Sequence, residues 1–245
     1  MQITFGRRRA APRSPSPPAY PPDFDAPTIA LCEAVRPYTM TGPERVDALR
    51  QAVEHVVSHG IDGDIVECGV WMGGSMMAVI RTLQKLNATR RLHLFDTFAG
   101  MPAPGPEDRD LQGTSAGILK AQAEKDSGRP WCDSSEQDVR DRIHSTGYPD
   151  ELVAFAVGRV EDTIPARAPE RIAILRLDTD WYESTRHELE YLYPRLAPGG
   201  ILIVDDYGHW QGARKAVDEY LTAHGIPMFL SRIDYTARLG VKPAG

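Results

Sequence analysis

The chain has 245 residues, 42% hydrophobic and 25% charged, with a formal net charge of −6. These values fit one large α/β domain or at most two small ones. The acidic balance argues against a nucleic-acid or anionic-membrane partner, and no apolar run reaches the length of a membrane span. Cys32, Cys68 and Cys132 are too few and scattered for a disulfide framework or a zinc site, which suits a reducing, cytoplasmic setting.

Residues 1–27 hold seven of the twenty prolines together with Arg7, Arg8 and Arg9. Such a segment has little to bury and few backbone donors, so the composition predicts a disordered tail. No apolar segment follows its basic residues as a secretory signal requires. A single domain is expected over 28–245. "PTIALCEAVRP" and "PERVDALRQAVEHVVSHG" read as helices. In the second, Val46, Leu49, Val53 and Val56 recur at helical spacing between Pro43 and Gly60. "DIVECGV" reads as a short buried strand, "WMGGSMMAVIRTLQKL" as a helix and "RLHLFDT" as a second strand. Within the region 101–133, "MPAPGPEDRDLQGTSAG" (101–117) is rich in Pro, Gly and Asp and is expected to loop out. "SSEQDVRDRI" restarts a helix, with Ser134 and Gln137 spaced as a capping box. "ELVAFAVG" and "IAILRLD" give strands three and four. The next helix places Thr185, Leu189, Leu192 and Leu196 on one face. "GILIVDD" is strand five, "GARKAVDEYLTAHG" a helix closed by Gly225, and "PMFLSRIDYTARLGVK" the last two strands. Strands alternating with helices imply βαβ units, a parallel sheet and a doubly wound α/β sandwich.

In such a sheet, ligands bind beyond the carboxyl ends of the strands. The first end, "VECGVWMGGS", is not the G-x-G-x-x-G of dinucleotide sites. Its glycines, Gly69, Gly73 and Gly74, are spaced differently, and Glu67 sits within the strand. A buried carboxylate there suits a cationic ligand better than a pyrophosphate, and S-adenosylmethionine carries a sulfonium and an ammonium. Asp96, ending the second strand, can accept ribose hydroxyls. Loop and Asp96 together point to an adenosine-containing cofactor without separating S-adenosylmethionine from NAD. Strands four and five end in Asp178 and in Asp205–Asp206. If these strands are neighbours, the three acids converge. Without a cation they would repel, and an all-oxygen set favours Mg²⁺ over zinc. The competing reading of Asp205–Asp206 is a turn and helix-cap pair. Asp180 is suitably spaced to take a proton from a hydroxyl acidified by the cation. His209 is either a base or a surface histidine. Trp181, Tyr182 and Trp210 are either substrate walls or core.

"DIVECGVWMGGS", "LFDTFAGMP", "RLDTDWYEST" and "GGILIVDDYGHWQGARKAVDEY" resemble, in order and spacing, the macrocin O-methyltransferase family of Mg²⁺-dependent natural-product sugar methyltransferases. The likeness runs from about residue 38 nearly to the C-terminus. It implies a class I S-adenosylmethionine-dependent methyltransferase fold with seven strands, mostly parallel. It also implies Asp178, Asp205 and Asp206 as metal ligands, Asp180 as general base, and Met40, Glu67, Gly69, Ser75 and Asp96 as cofactor positions. The region 101–133 would close over a glycosylated small-molecule acceptor, and a homo-oligomer such as a dimer is implied. Three rival readings differ in their motifs. A catechol-type methyltransferase usually has a Lys near its first metal ligand, where Trp181 and Tyr182 stand here. An NAD-dependent oxidoreductase would need the other glycine spacing. A non-catalytic binding protein on this fold would show decayed metal ligands.

Overall fold

The computed structural model describes residues 20–244. Of the tail expected over 1–27, residues 1–19 lie outside the described residues. The rest belongs to the folded body: Tyr20 and Phe24 pack against the core, and the Asp25 carboxylate accepts from the Thr28 amide at 2.8 Å. That cap, with Pro27 in the first turn, starts α1 at Ala26–Val35. Helix α2 (Pro43–Ser58) turns Val46, Leu49, Ala52, Val53 and Val56 inward. Each buried Val or Leu among them is worth about 1.5–3 kcal/mol.

The strands are β1 (Asp64–Cys68), β2 (Leu92–Asp96), β3 (Val153–Val157), β4 (Ile172–Leu177), β5 (Leu196–Val204), β6 (Ser231–Arg232) and β7 (Arg238–Val241). They form one sheet in the order β3-β2-β1-β4-β5-β7-β6. The first five are parallel, and β7 runs antiparallel to both neighbours. The remaining helices are α3 (Gly74–Lys85), α4 (Ala116–Ser127), α5 (Glu136–His144), the short α6 (Val160–Thr163), α7 (Tyr182–Leu192) and α8 (Gln211–Ala223). Two cores flank the sheet. Ile65, Ile174, Ile201 and Ile203 face the α1–α3 side, while Val66, Leu175, Leu202 and Val204 face the α7–α8 side. Burial on both faces explains why the central strands read as unbroken apolar runs.

The loop expected over 101–117 holds as far as Ser115; there α4 begins, burying only Ala116 and so showing no apolar stripe. Two local expectations are corrected. The cap of α5 is Ser135, whose hydroxyl accepts from the Asp138 amide, while Ser134 accepts from Arg142. Helix α7 stops at Leu192, because Pro194 sits in the following tight turn, and Leu196 opens β5 instead of lying on the helix face. Gly225 closes α8 as expected, in the left-handed region one residue past the His224 cap, with φ +59°. Among the described residues no helix is long and apolar enough to cross a membrane.

Candidate active site

Strands β4 and β5 are neighbours, with Leu177 opposite Val204. The next residue on each strand is therefore Asp178 and Asp205, side by side. The Asp178 amide donates to the Cys68 carbonyl at 2.8 Å and the Asp205 amide to the Leu177 carbonyl at 2.9 Å, which anchors both turns. One carboxylate oxygen from each of Asp178, Asp205 and Asp206 lies within 4.8 Å of the others. Asp206 Oδ2 is buried with no hydrogen-bond partner. An orphaned acceptor in an all-oxygen set fits a hard divalent cation.

Two arginines that the sequence reading passed over hold this centre. Arg176 lies on β4 directly opposite Glu67 of β1 and two residues before Asp178, so strand alternation puts all three on one face. Its Nη1 donates to Glu67 Oε1 at 2.6 Å and to Asp178 Oδ2 at 2.8 Å, and its Nη2 donates to Asp205 Oδ1 at 2.8 Å. Arg45, from α2, pairs with Asp205 Oδ2 and, through Nε, with Asp234 at 3.0 Å. Burial alone would raise the Asp205 carboxyl, but Arg176 and Arg45 outweigh it and hold Asp205 below the usual carboxylate range. Asp178 and Asp206 are both pushed well up, first by burial. For Asp178 this acts against Arg176, whereas for Asp206 the Asp180 charge adds to it. The signal for Arg176 was present in the sequence: an Arg in the buried run "AILRLD", matched by a Glu in "DIVEC".

Asp180 follows in the left-handed region at φ +68°. Burial, with the neighbouring Asp178 and Asp205 charges adding to it, pushes its carboxyl up to about 7. Behind the turn, the Thr179 hydroxyl donates to the fully buried Glu188 at 3.0 Å.

The centre opens into a cleft of about 700 Å³ that Met40, Gly69, Trp71, Asp96, Asp178 and Asp180 help to line. Gly69 has φ +85°, and a Cβ there would stand 2.0 Å from the Asp178 carbonyl oxygen, so only glycine lets these strand ends approach. Asp96 accepts from the amides of Val70, Trp71 and Phe98 at 2.6–2.9 Å. Those bonds take up most of its acceptor capacity and make it the brace of the glycine loop. Glu67 and Ser75 are buried and do not line the cleft; Glu67 has Arg176 as its cationic partner.

Trp181 and Trp210 are buried, with ring centroids 5.1 Å apart, and both pack on Trp131 from the 101–133 region. The structure therefore places them in a small core beneath that region. Tyr182 hydroxyl donates to Glu219, and His209 lies in a separate groove along α8, 3.5 Å from the Tyr235 hydroxyl. The 101–133 region is also fastened by Asp108, which accepts from the Tyr182 amide at 2.8 Å and the Gly105 amide at 2.6 Å.

Residues 25–239 match the model of the macrocin-O-methyltransferase (TylF) family. The chain belongs to this family. It is 39% identical over 207 residues to the 8-demethyl-8-(2,3-dimethoxy-alpha-L-rhamnosyl)-tetracenomycin-C 4'-O-methyltransferase of Streptomyces olivaceus, covering 81% of this chain and 73% of that one. It is 34% identical over 211 residues to the mycinamicin III 3''-O-methyltransferase of Micromonospora griseorubida, covering 86% and 78%. The solved structure of the O-methyltransferase NovP superposes with a TM-score of 0.74 at 33% identity, covering 84% and 83%. The macrocin-family chain is thus an O-methyltransferase on the class I S-adenosylmethionine-dependent fold.

Proposed function

We propose that this methyltransferase moves the methyl group of S-adenosylmethionine to a sugar hydroxyl of a glycosylated natural product, assisted by Mg²⁺ at Asp178, Asp205 and Asp206. One observation carries the reading: three carboxylate oxygens within 4.8 Å of one another, with Asp178 also lining the cleft beside Gly69 and Asp96. The acceptor class is drawn from relatives whose names specify a rhamnosyl tetracenomycin, a decarbamoylnovobiocin and a mycinamicin.

In this reading the cleft takes the cofactor, with Gly69 permitting close approach and Asp96 stiffening the loop. Asp178, Asp205 and Asp206 would hold a divalent cation, which would make a hydroxyl bound to it more acidic and select the hydroxyl that faces the methyl group. Asp180, which lines the cleft beside Asp178, accepts the hydroxyl proton. The acceptor oxygen forms its bond to the methyl carbon as the carbon–sulfur bond breaks, leaving S-adenosylhomocysteine and a methyl ether. The sulfonium methyl is already activated, so alignment supplies much of the acceleration.

The test is transfer of labelled methyl from S-adenosylmethionine to a panel of rhamnosylated and other glycosylated polyketides and aminocoumarins, with EDTA and with Mg²⁺ restored. Transfer to glycosides that stops in EDTA and returns with Mg²⁺ is expected. Undiminished transfer in EDTA would remove the cation from the reading. Transfer to bare catechols but to no glycoside would replace the sugar acceptor.

A further inference from the structure

Of the two arginines at the acidic centre, Arg176 is the more deeply buried and spans it from behind. Arg176 has a side chain only 3% exposed and makes three carboxylate contacts of 2.6–2.8 Å, to Glu67, Asp178 and Asp205. One positive charge facing three negative ones exceeds what a structural pair needs. A buried Glu67–Arg176 pair would already satisfy charge balance, and burying two further carboxylates against the same cation carries a desolvation penalty. The arrangement acts on geometry. The planar fork fixes Asp178 through Oδ2 and Asp205 through Oδ1, while Arg45 takes Asp205 Oδ2. Asp178 Oδ1 remains free of both arginines. Asp206, which neither arginine touches, supplies the third oxygen of the cluster.

We propose that Arg176 is the positioning residue of the cation site, holding Asp178 and Asp205 in their ligating arrangement before a cation arrives. The inference rests on the cation reading above. It reaches beyond it by assigning to a positively charged residue a favourable effect on cation binding. Charge and geometry predict opposite signs here, and that makes the role testable. If Arg176 acted only through its charge, it would repel a divalent ion and its removal would tighten binding. If it orders the ligands, its removal weakens binding, as loss of an outer partner of a metal ligand typically does by about 10–100-fold. Lysine keeps the charge but lacks the fork needed to span three carboxylates.

The experiment measures Mn²⁺ affinity by the paramagnetic resonance of free Mn²⁺, using full-length protein without cofactor or acceptor. Arg176→Gln and Arg176→Lys are compared with the unaltered chain, and circular dichroism and thermal melting establish that each is folded. Both variants are expected to bind Mn²⁺ at least about tenfold more weakly, the lower end of that range, while S-adenosylmethionine binding followed by calorimetry changes far less. Folded Arg176→Gln with equal or tighter Mn²⁺ affinity overturns the positioning role alone. An unaltered chain that takes up no Mn²⁺ overturns the cation reading and this inference with it. Should neither variant fold, crystals of the unaltered chain with and without Mn²⁺ decide. Asp178 and Asp205 keeping their Arg176 contacts in both states upholds the role, and either carboxylate swinging off Arg176 when Mn²⁺ binds refutes it.

Discussion

At Gly69 and Gly225 the backbone takes the left-handed region, at φ +85° and +59°, but only Gly69 faces a wall. Gly225→Ala meets open space and should cost about 1–2 kcal/mol of backbone strain. Gly69→Ala adds to its strain a Cβ 2.0 Å from the Asp178 carbonyl. Strain and overpacking each contribute roughly 1–3 kcal/mol, so about 3 kcal/mol or more is expected. Urea midpoints for the two variants check the contrast; equal losses would mean that the strand ends yield easily. Asp180→Asn removes the proposed proton acceptor and leaves Asp178, Asp205 and Asp206 in place. Turnover should fall about 10²–10⁴-fold with Mg²⁺ dependence of the residual rate nearly unchanged. A collapse of Mg²⁺ affinity would make Asp180 a ligand instead. The carboxylates were legible because each ends an apolar run. Arg176 was not, because a lone charge inside such a run reads as noise until its register partner, Glu67, is known.

Among the elements, α7 and α8 matter most, since each begins a few residues beyond an acidic pair. Neither has a side-chain cap of its own. Asp108 supplies one from the 101–133 region by accepting the Tyr182 amide, and the Gln211 amide at the start of α8 donates to the Arg109 carbonyl at 2.8 Å. This tethering was hidden from the sequence, because Asp108 looks like any turn residue in a Pro- and Gly-rich stretch and α4 lacks an apolar face. Asp108→Ala should cost about 1–2 kcal/mol, the usual range for a lost cap, and should open residues 101–131 to protease ahead of the rest of the chain. A Cβ on Gly212 would sit 2.0 Å from Asp108 Oδ1. Gly212→Ala should therefore loosen the same segment, and the double variant should lose less than the sum of the two. Full additivity in denaturant would show that the two act separately.

For the molecule as a whole, the alternation of strands and helices was enough to read the sheet, and adjacency of β4 and β5 is what converts two distant acidic pairs into one centre. In the unfolded chain Asp178 and Asp205 are separated by all the residues that form α7 and β5, so no cluster exists there. A cation at this centre binds the folded state alone and must stabilise it by mass action. At a concentration about 100 times its dissociation constant the gain is about 2.7 kcal/mol. For a domain of this size, each kcal/mol moves the melting temperature by roughly 2–4 °C. Mg²⁺ or Mn²⁺ added to chelator-treated protein should therefore raise the melting temperature by about 5–10 °C, the product of those two values. NaCl matched for ionic strength should not reproduce the rise, because screening weakens the repulsion among exposed charges and leaves buried ones nearly untouched. Asp206→Ala removes the proposed ligand that neither arginine restrains, so it should abolish the Mg²⁺-dependent rise without disturbing the Arg176 network. An equal Mg²⁺ response in Asp206→Ala would place the stabilising ion elsewhere on this acidic surface.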